Sequence, residues 1–364
     1  MRKLDNIHYS FRAINGYPQI YKFIMSCREP GKTTNFWLDK YNNWVKTKRP
    51  VVMGVRQIVD ISEEMIRSIQ ETTINTFIDE TVQFTFKFNT LKTGVTDVFI
   101  DGVRFIRIMA LCMPLQRIKK LRIMNAQCCV IDEYICDPRN GEKYLTNEAF
   151  RIKEWRSTIQ RDSDTPVPLY ILGNPYSLFN PLFVDWKVDV NELLKNRGGF
   201  LVGQKYVIQW YLMTKELREY ILERNPDYKF DEDYQQYAVE GLPKNDKDIK
   251  VAPHPNNYSL RFCLRYGNIF IGIFRNNDYD EDADKYYCEE ISEISAKRVV
   301  YCFDFENLID KTQLMSLSDR TKLSRFKDAM AQRKVSFQSI NIYYFMEEVY
   351  RLLWQVQLKF IRQK

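Results

Sequence analysis

Histidine is almost absent from this sequence, since His8 and His254 are the only two among 364 residues. Ser-His-Asp and Cys-His catalytic sites need an imidazole beside the nucleophile, and most catalytic zinc sites use imidazole ligands. With so little histidine, we expect any chemistry to fall to lysine, arginine and carboxylate side chains.

The sequence also lacks an apolar run near the roughly 20 residues that a membrane-spanning helix requires. Its first six residues, M-R-K-L-D-N, contain no apolar segment of the kind that forms the core of a signal peptide. We therefore predict a cytoplasmic protein that does not associate with membranes.

Paired C-x-x-C motifs, which mark structural zinc sites, are missing among the eight cysteines. Cys128 and Cys129 are adjacent, a spacing that suits neither a zinc site nor a disulfide between them. Thiols in a cytoplasmic protein are ordinarily reduced. We expect eight reduced thiols, most of them buried.

Short apolar runs alternate with helical patterns through the first 200 residues, which is typical of an α/β sheet with crossover helices. Unbroken apolar runs suit strands that are buried on both faces, and they occur at residues 128–131 and 169–172. Residues 20–25 and 51–55 are also predicted to be strands. Helical spacing predicts helices over residues 33–44 and 61–79. A β-rich insertion is predicted over residues 83–111, with Asp101-Gly102 as a hairpin turn.

The pattern changes at about residue 205. Residues 206–222 have helical spacing, and a polar connector at 241–248 precedes a proline-rich stretch. Beyond it we predict a hairpin over 258–265 and 268–274, a strand at 298–303 and a final helix from about residue 341. The predicted division is an α/β domain at 1–205, a helical lid or linker at 206–255 and a smaller α+β domain at 256–364.

Residues 26–33, S-C-R-E-P-G-K-T, lie between the first predicted strand and the first long helix. This is the position of the phosphate-binding loop G-x-x-x-x-G-K-[ST], although Ser26 replaces its first glycine. Backbone N–H groups of such a loop and its helix N-terminus face phosphate oxygens. Lys32 would reach the β- and γ-phosphates and Thr33 would bind Mg²⁺. The predicted ATP-binding residues are Ser26, Arg28, Glu29, Pro30, Gly31, Lys32, Thr33 and Thr34.

Two carboxylates, Asp132 and Glu133, end the apolar strand that lies 100 residues after Lys32. At the carboxyl end of a parallel strand, Asp132 would face Mg²⁺ and Glu133 would orient or deprotonate the attacking water. Asn174 ends the next core strand, where its amide could hydrogen-bond the γ-phosphate or the attacking water, the alternative being an Asn that only forms a turn before Pro175. Arg161 could act across a subunit boundary or could be an ordinary solvated arginine.

These motifs occur in the order Arg28 within the loop, Val55-Arg56, Ile131-Asp132-Glu133-Tyr134, Leu172-Gly173-Asn174 and Asn180-Pro181. The combination resembles the DNA-packaging (encapsidation) ATPases of small protein-primed tailed phages, which are relatives of the terminase large subunits. The resemblance covers about residues 15 to 190 and is weak beyond them.

That resemblance implies a P-loop NTPase domain of the additional-strand, conserved-glutamate class, followed by a smaller RNase H-like domain. It implies a homopentameric ring on the capsid portal vertex, in the host cytoplasm, that uses ATP and Mg²⁺ to drive double-stranded DNA inward. Partners would be the portal and a structural packaging RNA. Catalytic roles fall on Glu133, Arg28, Asn174 and a trans-acting arginine. Arg161 fits the last role with an offset of one residue, and Arg156 is its nearest competitor.

A net charge of +7, from 54 basic and 47 acidic residues, permits a polyanionic partner without requiring one. The basic segment at residues 117–122, R-I-K-K-L-R, lies where this family places a pore loop. We predict that Arg117, Lys119 and Lys120 contact the DNA backbone, the alternative being an ordinary solvated turn.

A metal-dependent nuclease needs several carboxylates on adjacent strands. The predicted hairpin at 258–265 and 268–274 contains none. We therefore predict a vestigial nuclease domain without cleavage activity. A nuclease-competent terminase, a ring helicase of the P-loop class and a nucleotide-gated capsid scaffold are the alternatives.

Overall fold

The computed structural model describes residues 8–87, 94–136, 142–178, 180–225, 249–266, 269–278, 284–292, 299–302, 312–316, 321–347 and 349–350. The chain forms two compact units. The first comprises Met1–Leu178 and Glu192–Asn245, and the second comprises Phe179–Asn191 and Asp246–Lys364. The three-part division at 1–205, 206–255 and 256–364 stays a prediction.

A mixed sheet, nine-stranded within the described residues, forms the centre of the first unit. Its strands are β1 (Tyr21–Ser26), β2 (Val51–Val55), β3 (Thr85–Phe86), β4 (Val95–Ile100), β5 (Val103–Ala110), β6 (Cys128–Ile131), β7 (Leu169–Gly173), β8 (Phe200–Val202) and β9 (Tyr206–Tyr211). They lie in the order β3-β4-β5-β2-β6-β7-β1-β9-β8. The strands from β5 to β9 in this order are parallel, and the outer pairs are antiparallel.

Helices join and cover these strands. In the first unit they are α1 (Arg12–Asn15), α2 (Lys32–Thr47), α3 (Glu63–Ser68), α4 (Leu115–Ile118), α5 (Glu148–Gln160) and α8 (Lys215–Arg224), with a 3₁₀ turn at Ile58–Asp60 and a π-helix at Ile69–Asn75. Along the chain, α6 (Pro181–Trp186) belongs to the second unit, and α7 (Val190–Lys195) begins in the second unit and ends in the first. α2 connects β1 to β2 and α5 connects β6 to β7, as crossovers between parallel strands require.

The four central strands β2, β6, β7 and β1 are buried along their whole length. Their mainly apolar sequences are expected for a parallel sheet that is covered on both faces. Contact between layers is close at Gly54, where an added Cβ would lie 3.0 Å from the Trp155 ring of α5. The predicted strands at these four places are confirmed.

The predicted hairpin at Asp101-Gly102 is also confirmed. β4 and β5 pair antiparallel around it, and both turn residues have positive φ, 50° for Asp101 and 76° for Gly102. Such angles suit the tight turns that join twisted strands. β5 also pairs parallel with β2, so this region is continuous with the main sheet and is not an insertion separate from it.

The helix predicted over residues 206–222 is wrong in its first half. Residues Tyr206–Tyr211 form β9, which pairs parallel with β1, and only Lys215–Arg224 is helical. Four of the six β9 residues are buried in succession. A short apolar run of this kind fits either structure, and pairing with β1 selects the strand.

The second unit contains a six-stranded sheet within the described residues. Its strands are β10 (Tyr258–Tyr266), β11 (Ile269–Asn276), β12 (Tyr286–Glu290), β13 (Val300–Cys302), β14 (Thr312–Leu314) and β15 (Val335–Phe337), in the order β14-β13-β10-β11-β12-β15. β11 pairs antiparallel with both β10 and β12, whereas β13 and β14 run parallel to β10. The predicted hairpin, with Leu264 opposite Ile271, is confirmed.

One face of this sheet packs against α9 (Ser324–Ala331) and the helical residues 340–347. The apolar side chains of this core include Leu264, Ile271, Ile273, Phe326, Phe345 and Met346. The predicted strand at 298–303 is observed as β13, and the predicted final helix begins one residue before 341.

All eight cysteines lie in described residues as thiols, and seven are buried. Burial raises the pKa of the Cys128 thiol to about 12, which keeps it protonated. Across the described residues, no helix has both the length and the apolar character needed to cross a membrane.

Candidate functional site

A pocket of about 490 Å³ lies where β1, β6 and β7 end. β7 lies between β1 and β6, so the segments that follow these three parallel strands meet at one edge of the sheet. The pocket is lined by Arg28, Glu29, Pro30, Gly31, Lys32, Thr33, Thr34, Asp132, Glu133, Gly173 and Asn174. The structure thus brings together the residues predicted from three separate motifs.

The loop between β1 and α2 has two residues in the left-handed conformation, Glu29 with φ 65° and Gly31 with φ 80°. An added Cβ at Gly31 would lie 3.2 Å from the Asn35 amide nitrogen and 3.3 Å from His8, besides being strained by the positive φ. Glycine therefore suits this position. Gly31 is the N-cap of α2, so the positive end of a 16-residue helix dipole faces the pocket.

Lys32 is buried, with 7% of its surface exposed. Its Nζ donates to Ser26 Oγ at 2.7 Å, to the Ser26 and Cys27 carbonyl oxygens at 3.1 and 3.2 Å, and to Asn174 Oδ1 at 2.9 Å. Burial lowers the pKa of this ammonium to about 8, partly opposed by the charges of Asp132 and Glu133. Ser26, which departs from the glycine of the motif, is thus an acceptor for Lys32.

Thr33 and Asp132 are in direct contact, since Thr33 Oγ1 donates to Asp132 Oδ2 at 2.8 Å. The other carboxylate oxygen of Asp132 accepts from the backbone N–H of Glu133 at 2.9 Å. Burial raises the pKa of Asp132, although both hydrogen bonds favour its charged form. A hydroxyl and a carboxylate side by side are ligands that Mg²⁺ accepts, so this donor set fits that ion.

Glu133 adopts a left-handed backbone conformation, with φ 49°. A non-glycine residue in this region of φ/ψ space carries strain of about 1–3 kcal/mol, which the surrounding structure must hold in place. Its side chain is open to solvent at the pocket. The surrounding protein raises the pKa of its carboxyl by desolvation and through the charges of Asp132 and Glu142, whereas Arg28 and Lys32 lower it. A carboxylate with a raised pKa is better suited to accept a proton near neutral pH.

Arg56 anchors the backbone at and directly after this strained residue, and sequence reasoning did not assign it a role. Its guanidinium donates to the carbonyl oxygens of Glu133, at 3.4 Å, and Tyr134. It also pairs with the buried Glu148 at 3.1 Å and lies over the rings of Tyr134 and Tyr144. The sequence does place an arginine directly after a core strand, which could have drawn attention to Arg56. Its carboxylate partner, however, is 92 residues away and could not be identified from the sequence.

Arg161 is exposed and follows the last residue of α5, on the side of the sheet where β7 begins. It therefore lies away from the pocket of its own chain. Arg156, its competitor, donates to the Val167 carbonyl oxygen and to Gln160, each at 3.0 Å. Within one chain, Arg156 holds the backbone of the segment that leads into β7. Arg161 is the more exposed of the two arginines.

The basic segment predicted to contact DNA forms α4 and the turn that follows it. Arg117, Lys119 and Lys120 are exposed. Lys119 pairs with Glu154 of α5 at 2.6 Å. The segment lies outside the pocket, and its predicted contact with DNA stays a prediction.

No protein-family model and no curated protein sequence matches the chain. Solved structures do. The chain is similar to the Phi-28 gp11 DNA packaging motor, with a TM-score of 0.68 and 16% identity over 96% of this chain and 98% of that one. It is also similar to the bacteriophage Phi-29 viral genome packaging motor assembly, with a TM-score of 0.61 and 18% identity over 96% and 100%. The resemblance to phage packaging motors is confirmed for the fold.

The buried pair of Arg56 and Glu148 yields a stability prediction. Arg56→Met should lower the free energy of unfolding by about 3–5 kcal/mol, because it leaves the Glu148 carboxylate buried without its partner. Adding Glu148→Leu should restore a large part of that loss. Urea unfolding followed by circular dichroism measures both.

Arg67→Met is the matched control, since it breaks the half-exposed pair of Arg67 with Glu63 and should cost less than about 1 kcal/mol. Equal losses for Arg56→Met and Arg67→Met would show that the Arg56 pair does not stabilise the fold.

Proposed function

We propose that this chain is an ATP-hydrolysing motor that moves double-stranded DNA into a preformed phage capsid. The observation that carries the proposal is the single pocket that collects Lys32, the Thr33–Asp132 pair and Glu133 at the ends of three parallel strands. A cation for phosphate, a ligand pair for Mg²⁺ and a carboxylate for water are the parts that phosphoryl transfer to water uses.

The strand order supports a P-loop NTPase of the additional-strand, conserved-glutamate class. β7 lies between β1, which precedes the phosphate loop, and β6, which precedes the two carboxylates. Asn174 follows this additional strand and accepts a hydrogen bond from Lys32. A bound phosphate would take the place of Asn174 at the Lys32 ammonium, and Asn174 would then bond to another partner. Asn174 would therefore respond to whether the γ-phosphate is present.

ATP would bind with its phosphates over the N-terminus of α2, held by the backbone of residues 28–34 and by Lys32. Thr33 and Asp132 would hold Mg²⁺, which screens phosphate charge and orients the β- and γ-phosphates when it is bound. Glu133 would accept the proton of the attacking water. Arg28 and Lys32 would balance the charge that develops on the phosphoryl oxygens and on ADP.

The second unit supports an RNase H-like assignment. Three antiparallel strands, β10 to β12, are extended beside β10 by two parallel strands, β13 and β14, which is the strand arrangement of that fold. In the described parts of the chain, no cluster of three acidic, histidine or cysteine side chains could hold a metal ion. We propose that this unit does not cleave DNA.

The motor would act as a homo-oligomeric ring, of five subunits in the resembling family, on the portal vertex of the capsid in the host cytoplasm. Partners would be the portal and a structural RNA in addition to DNA. Arg117, Lys119 and Lys120 would contact the DNA backbone without reading bases. The similarity to two packaging motors over nearly the whole chain supports this setting.

ATP turnover tests the enzymatic part of the proposal. The wild-type protein should hydrolyse ATP in the presence of Mg²⁺, and Glu133→Gln should reduce kcat by about 10²–10⁴-fold because the carboxylate can no longer accept the proton. Lys32→Ala should abolish nucleotide binding. Phosphate release is measured with and without double-stranded DNA.

Lys46→Ala removes an exposed lysine from the same helix as Lys32 and should leave turnover unchanged. Unaltered turnover in Glu133→Gln would refute the proposed role of that carboxylate.

The DNA-contacting segment is tested by a variant with Arg117, Lys119 and Lys120 all replaced by alanine. Its affinity for double-stranded DNA should fall, and the slope of log affinity against log salt should become shallower by about 1–3, because fewer counterions are released. Fluorescence anisotropy at several salt concentrations gives both quantities.

A triple variant of the exposed Lys46, Lys195 and Lys215 loses the same total charge and serves as the control. Equal effects of the two triple variants would show that the segment at 117–120 has no special role.

A trans role for Arg161 is tested by mixing subunits. Arg161→Ala and Lys32→Ala should each be inactive, and mixed rings should recover part of the activity because some interfaces combine an intact pocket with an intact arginine. Mixing Arg156→Ala with Lys32→Ala is the comparison. Recovery only in the Arg156 mixture would transfer the role to Arg156.

A further inference from the structure

Tyr176 does not line the pocket, but it contacts Arg28, which does. Its side chain is buried, and its hydroxyl accepts a hydrogen bond from Arg28 Nη2 at 2.9 Å. Arg28 belongs to the phosphate loop and is half-buried. The buried Tyr176 hydroxyl therefore fixes one nitrogen of the Arg28 guanidinium. Because the guanidinium is planar, this contact also sets the direction of its other N–H groups.

A tight turn connects Tyr176 to the residue that contacts Lys32. The Tyr176 N–H donates to the Asn174 carbonyl oxygen at 2.8 Å across Pro175, whose ring restricts the backbone. Asn174 Oδ1 accepts from Lys32 at 2.9 Å. Both basic side chains of the phosphate loop are thus hydrogen-bonded to one three-residue turn at the end of β7.

Arg28 and Glu133 both line the pocket. The charge of Arg28 is one of the two that lower the pKa of the Glu133 carboxyl, against the larger effect of desolvation. A guanidinium has several N–H donors in a fixed planar arrangement, so one can bind the Tyr176 hydroxyl while others bind phosphate oxygens. A long arginine side chain that is already held loses less rotamer freedom when it binds phosphate.

We propose that Tyr176 is a positioning residue that holds Arg28 at the γ-phosphate end of the pocket and thereby sets the preference for ATP over ADP. The proposal rests on the ATPase function proposed above. It differs from that function in assigning discrimination between the two nucleotides to a residue that touches neither of them.

The test uses the full chain in the Glu133→Gln background, so that ATP is bound without turnover, and measures the Kd of Mg²⁺–ATP and Mg²⁺–ADP by calorimetry. Tyr176→Phe keeps the ring and removes the hydroxyl. It should raise the Kd for ATP by about 5–10-fold, the equivalent of one hydrogen bond, and leave the Kd for ADP within about two-fold.

Tyr170→Phe, on β7, is the matched control. It removes a buried hydroxyl that donates to Asn15 at 2.7 Å, away from the pocket, and should leave the ratio of the two Kd values unchanged. In an Arg28→Ala background, Tyr176→Phe should cause no further change, because the group that it positions is gone.

A Kd ratio that Tyr176→Phe does not alter, or a loss that is the same for ATP and ADP, would overturn the proposal while leaving the ATPase intact. Additive effects of Tyr176→Phe and Arg28→Ala would overturn it as well. If the parent protein binds no ATP, the proposed function fails first and this inference with it.

Discussion

The arrangement of the pocket depends on a buried ammonium group. Lys32 cannot reside in a protein interior unless acceptors surround its charge, and here they come from the end of β1 and from the residue after β7. The same geometry brings Thr33 against Asp132 at the end of β6. Burial lowers the pKa of Lys32 to about 8, so the ammonium remains mostly charged at neutral pH but holds its proton more weakly than an exposed lysine does. In the proposed function, a bound phosphate would replace Asn174 as its partner.

The surrounding structure maintains two strained backbone positions at this edge of the sheet, Glu29 and Glu133. Arg56 fixes the second through its contacts with the adjacent carbonyl oxygens, and Glu148 fixes Arg56. The rigid sheet is what allows such strain to persist, since the strands that supply these residues are buried on both faces. The pocket lies at the carboxyl ends of parallel strands, which is where open α/β sheets generally bind their ligands.

Sequence patterns predicted β1, β2, β6 and β7 because burial on both faces leaves a mainly apolar run. They predicted the loop at 26–33 because a glycine and a lysine between a strand and a helix suit phosphate binding. They failed at β9, where Val207, Ile208 and Trp210 suit a helix or a strand equally and only pairing with β1 decides. They could not place Arg56 against Glu148 or Tyr176 against Arg28, since neither partner is near in sequence. The fold is shared with packaging motors at 16–18% identity, so few of its contacts depend on particular residues.

The proposed function requires Thr33 and Asp132 to hold a divalent ion beside the nucleotide. Electron paramagnetic resonance of Mn²⁺, titrated into the protein with a non-hydrolysable ATP analogue, measures that site. We predict tight Mn²⁺ binding to the wild-type complex and its loss in Asp132→Asn, with the analogue still bound through Lys32. Equally tight Mn²⁺ binding in Asp132→Asn would contradict the assignment of the site.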